Sequence, residues 1–152
     1  MKVLVADALD NAAIQLLKEA GHDVIEDEVN PEELLRIISS YDALIVRSRT
    51  KVTSEVIEAG AALKVIGRAG VGVDNIDVDA ATLKKIPVVY APTGSTQSVA
   101  EHTWAMILAA ARKIPFGDRT MKEGTWAKKQ IKGTELFGKT FGFVGSGRIG
   151  AA

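Results

Sequence analysis

Short runs of β-branched residues alternate with amphipathic segments from Lys2 to Tyr90, and this alternation constrains the fold more than any other feature. It is typical of βαβ units, in which parallel strands are joined by crossover helices. The predicted strands are residues 2–6, 22–26, 43–47, 64–67 and 87–90. Five strands with four crossovers predict a complete flavodoxin-like α/β layer structure with a parallel sheet, and they leave the strand order open.

Each predicted crossover helix begins at a residue that suits a helix N-terminus. The predicted N-caps are Asp10, Asn30, Thr53 and Asp79. Pro31 lies in the first turn of its helix, and Gly21 follows the first helix in the usual C-terminal position. The apolar residues of the first helix, which we expect to share one inward face, are Ala13, Leu16, Leu17 and Ala20.

The composition excludes several classes of function. The chain has no cysteine, which rules out disulfides, thiolate metal sites and iron–sulfur clusters, and its two histidines are isolated, so we expect no metal site. The 19 basic and 19 acidic residues balance, which argues against a dedicated nucleic-acid or membrane-surface binder. No apolar stretch approaches the ~20 residues of a membrane span, and no leader precedes the first strand, so we expect a cytoplasmic location.

From residue 98 the pattern changes. Residues 98–112 form an Ala-rich apolar segment that predicts a long helix carrying Trp104, Met106 and Leu108. Exposed apolar residues of this kind mark an interface, so we expect a homodimer through this region. Residues 112–139 contain eight basic and three acidic side chains. We interpret this segment as a solvated connector, because little beyond its charge supports nucleic-acid binding.

A glycine motif lies at the end of the chain. Residues 141–144 predict a strand, and the following Gly145, Gly147 and Gly150 match the G-x-G-x-x-G pattern. In a dinucleotide site these glycines allow a tight turn, close approach of the pyrophosphate and close helix packing. The alternative is a structural strand-to-helix turn. Because the chain ends two residues later, we expect this to be the opening of a truncated Rossmann unit.

Two further polar segments follow predicted strands and are expected at the carboxyl edge of the sheet, where α/β proteins bind ligands. The segment 67–77 contains Arg68 and the glycines Gly70 and Gly72, whose backbone N–H groups can converge on an anion. The segment 47–53 begins with Arg47-Ser48-Arg49. The alternatives are a loop that needs positive φ in the first case and a polar loop before a helix in the second.

Four stretches together resemble the D-2-hydroxyacid dehydrogenase family. They are IVRSRTKVT, VIGRAGVGVDNID, APTGSTQSVAEHTWAMILAAARKIP and GTELFGKTFGFVGSGRIG, in collinear order. The resemblance implies a flavodoxin-like substrate domain at residues 1–96, followed at 97–152 by the truncated start of a Rossmann dinucleotide-binding domain. It also implies oxidation of a small anionic 2-hydroxy acid with NAD as the hydride acceptor.

The resemblance also assigns residues. Arg47 and Ser48 match the family's substrate-binding V-R-S motif, and Arg68 lies in the motif of the carboxylate-binding loop. In this chain the residues that match that loop are Gly70, Val71 and Gly72. The residues that match the cofactor-binding turn are Gly145, Gly147, Arg148, Ile149 and Gly150.

The family's catalytic arginine, acidic partner and histidine all lie beyond residue 152, and neither His22 nor His102 matches that histidine. We therefore expect the chain by itself to be inactive and to bind NAD weakly or not at all. The strongest resemblance is to members that oxidise 3-phosphoglycerate at the start of serine biosynthesis. Glyoxylate and hydroxypyruvate reductases remain alternatives, as does a stand-alone flavodoxin-like module that binds anions or self-associates without catalysis.

Overall fold

The computed structural model describes residues 1–152, which divide into two compact units, Met1–Gly94 and Ser95–Ala152. The first unit contains one five-stranded parallel sheet, so the predicted α/β class is confirmed. Its strands are β1 Lys2–Val5, β2 Asp23–Glu26, β3 Ala43–Val46, β4 Val65–Arg68 and β5 Val88–Tyr90. All five predicted strands are present, with boundaries within one residue of those expected.

The strand order is β2-β1-β3-β4-β5. This is the flavodoxin-like order, in which the chain leaves β1 in one direction for β2 and then returns to the other side of β1 for β3. The loops that follow β1 and β3 therefore diverge, and the carboxyl ends of these two strands form the topological switch point of the sheet. Ligands of doubly wound folds usually bind at such a point.

Seven α-helices accompany the sheet. They are α1 Asn11–Glu19, α2 Pro31–Ile37, α3 Ser54–Ala59, α4 Val78–Leu83, α5 Thr96–Ala111, α6 Ile114–Lys122 and α7 Arg148–Ala151. The predicted caps of α1 and α2 are confirmed, because Asp10 Oδ1 accepts from the Ala12 N–H at 2.8 Å and Asn30 Oδ1 from the Glu33 N–H at 2.9 Å. No helix in the chain is both long and apolar enough to cross a membrane.

Two other cap predictions are wrong in detail. Asp77, not Asp79, caps α4 by accepting the Ala80 N–H at 2.9 Å, because the helix begins at Val78 and Asp79 already lies in its first turn. Thr53 occupies the N-cap position of α3, but its hydroxyl donates to Glu55 Oε2 at 2.6 Å and caps no backbone N–H.

The core covers both faces of the sheet. One face carries the larger cluster, which includes Leu4, Leu34, Ile38, Leu44, Ile57 and Ile66. On the other face Val3, Val5 and Ala43 pack with Ile14 of α1. The predicted inward face of α1 is therefore wrong for Leu16 and Ala20, which are exposed, whereas Ala13 and Leu17 are partly buried. Leu16 is 66% exposed, because a residue two positions from Ile14 lies about 200° around the helix.

The second unit contains α5, α6 and α7 and no strand. The predicted helix 98–112 is present as α5, whereas α6 falls within the segment expected to be a connector. The predicted strand 141–144 is not formed, since a strand is held by hydrogen bonds to a neighbouring strand and this unit offers none. Phe141 instead packs against Trp104 in a tilted arrangement and against Phe143 edge to face, with ring centroids 5.3 Å and 4.7 Å apart.

Candidate anion-binding site

The glycine loop after β4 is held in place by its neighbours. The Ala69 N–H donates to the Val46 carbonyl at 2.8 Å, and the Gly70 carbonyl accepts from the Ala91 N–H at 2.9 Å. These bonds fix the loop to the ends of β3 and β5. The N–H groups of Val71 and Gly72 have no acceptor within the chain, so both are free to bind an external acceptor.

Close approach of a guanidinium explains the glycine at position 70. A β-carbon there would overlap the Arg68 guanidinium, whose Cζ would lie 2.7 Å away. Neither Gly70 nor Gly72 has positive φ, so the alternative of a loop that needs a left-handed conformation is wrong. Arg68 forms no ion pair, and its buried Nε has no hydrogen-bond acceptor. The guanidinium therefore brings an uncompensated positive charge to the glycine loop.

The Arg47 turn lies beside this loop. Val46, the last residue of β3, pairs in register with Arg68, so Arg47 leaves the sheet next to the start of the glycine loop. The Arg47 side chain is exposed, donates to the Ala8 carbonyl at 3.3 Å and forms no ion pair. Ser48 is also exposed. The predicted substrate residues of both segments therefore lie at the carboxyl ends of two adjacent strands.

Sequence reasoning missed Asp7, which supports the Arg47 turn. Its carboxylate, only 4% exposed, accepts from the Arg47 N–H at 2.6 Å, Arg49 Nε at 2.8 Å and the Thr50 hydroxyl at 2.9 Å. Burial alone would raise the pKa of Asp7, but hydrogen bonds from Arg47, Thr50 and Arg49 hold the pKa below its ordinary value. The available signal was a carboxylate placed directly after a buried strand.

Asn75 is the second residue that the sequence did not reveal. Its Nδ2 donates to the carbonyls of Arg47 and Thr50 at 2.7 Å and 2.6 Å. The side-chain oxygen is buried without a partner, so the two donor contacts fix the orientation of the amide. Asn75 lies three residues after Gly72 and so connects the glycine loop to the Arg47 turn.

The terminal glycine motif forms a turn in the second unit. Gly145 has φ of +100°, and a β-carbon on Gly150 would lie 2.7 Å from the Gly145 carbonyl oxygen. The N–H groups of Gly147, Arg148 and Ile149 have no acceptor within the chain. A tight turn, close packing and free N–H groups are what a pyrophosphate requires of this motif, so these residues fit a dinucleotide.

Neither histidine belongs to the anion-binding groups. His22 lies just before β2, at the amino end of the sheet, and its Nδ1 is 3.5 Å from the N-terminal amine. Arg47 and Arg68 lie at the carboxyl end of the same sheet. His102 is exposed on α5 in the other unit.

Comparison with known proteins establishes the family. The family model described as D-isomer specific 2-hydroxyacid dehydrogenase, catalytic domain, matches residues 3–142. The chain therefore belongs to the D-2-hydroxyacid dehydrogenase family, as the motifs predicted.

Individual relatives agree with this assignment. A D-3-phosphoglycerate dehydrogenase of Archaeoglobus fulgidus is 54% identical over 151 residues, which cover 99% of this chain but only 29% of that protein. The crystal structure of a Thermus thermophilus protein matches with a TM-score of 0.90 at 34% identity, over 99% of this chain and 50% of that one. An NAD⁺-bound 3-phosphoglycerate dehydrogenase of Entamoeba histolytica matches with a TM-score of 0.74 at 34% identity, over 99% and 48% of the two chains.

Proposed function

We propose that the chain is the N-terminal portion of an NAD-dependent dehydrogenase that oxidises a 2-hydroxy acid, and that the acid is 3-phosphoglycerate, oxidised at the start of serine biosynthesis. One observation carries the proposal. Arg47 directly follows β3 and Arg68 ends the adjacent β4, neither guanidinium has a carboxylate partner, and the N–H groups of Val71 and Gly72 in the loop after β4 are free.

The chemistry of these groups suits a substrate with two anionic ends. Paired backbone N–H groups bind a carboxylate, and a guanidinium forms forked hydrogen bonds with a carboxylate or a phosphate. The molecule 3-phosphoglycerate carries one of each. Glyoxylate and hydroxypyruvate have a carboxylate only, so the second guanidinium favours the phosphorylated acid. The name of the Archaeoglobus fulgidus relative supports the same choice.

The glycine turn is proposed to hold the cofactor. Gly145, Gly147 and Gly150 shape the turn, and the N–H groups of Arg148 and Ile149 would bind the pyrophosphate of NAD, whose nicotinamide accepts a hydride when bound. The NAD⁺ reported for the Entamoeba histolytica relative supports this cofactor. We expect the chain by itself to bind NAD weakly or not at all, because it covers only 29% of the Archaeoglobus fulgidus relative.

We propose that residues 1–152 alone do not turn over. Oxidation of a 2-hydroxy acid needs a group of suitable pKa within hydrogen-bond reach of the hydroxyl. His22 lies at the opposite end of the sheet from Arg47 and Arg68. An assay of the chain with NAD and 3-phosphoglycerate is expected to give no NADH, and robust NADH formation would contradict this part of the proposal.

A homodimer through α5 is proposed as the assembly. Trp104, Met106 and Leu108 of this helix are all substantially exposed, and Met106 is 58% exposed. Residues of this kind are usually covered by a partner. A second candidate function is an anion-binding or self-associating module without catalysis. It would use the same anion-binding residues and the same exposed residues of α5.

Titration calorimetry and amide NMR test the substrate. We expect 3-phosphoglycerate to bind the chain, to shift the amide signals of Val71 and Gly72, and to bind more tightly than glyoxylate or hydroxypyruvate. Arg47→Gln is expected to raise the Kd about tenfold, the loss of one charge-assisted contact. Arg36→Gln, an exposed arginine on α2, is the matched control and should leave the Kd unchanged. Equal affinity for all three acids would favour the module without substrate specificity.

A further inference from the structure

The four-residue turn that carries Arg47 and Ser48 is held at both ends by two side chains. At Arg47, the N–H donates to Asp7 Oδ2 at 2.6 Å and the carbonyl accepts from Asn75 Nδ2 at 2.7 Å. At Thr50, the N–H donates to the same Asp7 oxygen at 3.3 Å and the carbonyl accepts from Asn75 at 2.6 Å. Asp7 therefore accepts the N–H groups at both ends of the turn, and Asn75 donates to the carbonyl groups at both ends.

Both side chains join distant parts of the first unit. Asp7 follows β1 and the turn follows β3, so the Asp7 contacts bridge the two loops that diverge at the switch point of the sheet. Asn75 follows the glycine loop, and its own carbonyl accepts from the Val52 N–H at 2.8 Å. The loop after β1, the Arg47 turn and the glycine loop thus form one connected network.

We propose that Asp7 and Asn75 are positioning residues of the substrate site. They fix the backbone of residues 47–50, and so set the position and direction in which the Arg47 side chain leaves the carboxyl end of β3. This inference rests on the proposed function, since it assumes that Arg47 binds the anionic substrate. A turn held at one end only would let Arg47 sample several directions, and binding would then require the ordering of a long side chain.

The effect of Asp7→Asn on anion binding distinguishes a positioning role of Asp7 from a simple effect of its negative charge. If Asp7 acted only as a nearby negative charge, Asp7→Asn would strengthen anion binding, because it removes repulsion. The positioning role predicts the reverse. Asparagine keeps a single acceptor oxygen, so its NH2 group would face either the Arg47 and Thr50 N–H groups or Arg49 Nε, and one of these two sets of contacts is lost. For the other side of the turn we choose Asn75→Leu, which removes both donors at similar volume and adds no charge.

Asp42 provides the matched control. Its carboxylate accepts from the Lys2 N–H at 2.8 Å and from Lys64 Nζ at 2.6 Å, at the amino end of the sheet. Asp42→Asn therefore removes a comparable backbone-anchoring carboxylate far from the Arg47 turn. It should lower the melting temperature without changing the affinity for the anion.

The experiment measures the Kd for 3-phosphoglycerate of the wild-type chain and the three variants by calorimetry, with the melting temperature of each. Asp7→Asn and Asn75→Leu are expected to raise the Kd at least about tenfold, while Asp42→Asn stays within about twofold of the wild type. Affinity equal to or tighter than wild type in Asp7→Asn, or an equal loss in Asp42→Asn, would overturn the positioning role.

If the wild-type chain does not bind 3-phosphoglycerate, that result counts against the proposed function alone. The positioning role of Asp7 and Asn75 is then tested by a measurement that needs no ligand. Backbone ¹⁵N relaxation should show Ser48 and Arg49 ordered in the wild type and in Asp42→Asn, and mobile in Asp7→Asn and Asn75→Leu. Unchanged order in the last two variants would refute the inference.

Discussion

The guanidinium of Arg68 occupies the space that a β-carbon on Gly70 would fill. Residue 70 thus controls where the charge of Arg68 lies, although neither its φ nor any turn requires a glycine there. The neighbouring atoms belong to the far end of a flexible side chain, which can move away with little strain. The size of residue 70 therefore affects binding more than folding.

Gly70→Ala is accordingly expected to raise the Kd for 3-phosphoglycerate several-fold while changing the free energy of unfolding by less than about 0.5 kcal/mol. Gly21→Ala is the converse control. Gly21 has open space around it but φ of +79°, so alanine there should cost about 1 kcal/mol and leave the Kd unchanged. Calorimetry and urea denaturation of both variants check the pair. Identical behaviour of the two would contradict the role of residue 70.

Acid should selectively weaken the contacts of Asp7. Its pKa is lower in the folded chain than the unfolded value of about 3.9, so its ionised form stabilises the fold above that pH. This contribution is lost as the pH falls through the folded pKa. Asp7→Asn is thus expected to be less stable than wild type at neutral pH, with a difference that narrows below about pH 4. Urea denaturation at several pH values measures it, and a difference independent of pH would contradict the assignment.

The orientation of α1 can be tested by a matched pair of truncations. Ile14 is buried against the sheet, so Ile14→Ala should destabilise the chain by about 2–4 kcal/mol. Leu16 is mostly exposed, and Leu16→Ala should change the free energy of unfolding by less than about 0.5 kcal/mol. Denaturant unfolding of both variants is the measurement. The reverse order of effects would restore the face that the sequence predicted.

Leu108→Glu tests the proposed dimer. Leu108 lies four positions after Trp104 on the same exposed face of α5, and a charge there should not be tolerated in an interface, so we expect the variant to sediment as a monomer and the wild type as a dimer. Met121→Glu, at a residue of α6 that is similarly exposed, should leave the dimer intact. Sedimentation velocity distinguishes these outcomes, and a monomeric wild-type chain would end the proposal.

Most of the first unit could be predicted because its signals are local. The strands β1 to β5 were visible as apolar runs, and the caps Asp10 and Asn30 precede their helices directly. The segment 141–144 has the same apolar character, yet it forms no strand. Strand formation depends on hydrogen bonds to a neighbouring strand, and the sequence of one segment does not show whether such a neighbour is present.

The anchoring of the site was hidden for a similar reason. Arg47 and Gly70 belong to recognisable motifs, whereas Asp7 gains its role from hydrogen bonds to residues about forty positions away in the sequence. Asn75 was visible only as part of a motif. A polar side chain that binds the backbone of a distant residue produces no periodic pattern and no characteristic spacing in the sequence.

The divergence of the loops after β1 and β3 has one more consequence. Flavodoxin-like folds usually bind an external ligand at the switch point of the sheet. In this chain the Asp7 carboxylate occupies that place and accepts the N–H groups of Arg47 and Thr50. The residues proposed to bind the external anion lie one strand further along, at the carboxyl ends of β3 and β4. Removal of the Asp7 carboxylate, as in Asp7→Gly, would leave a vacancy lined with N–H donors, which a free carboxylate such as formate could fill.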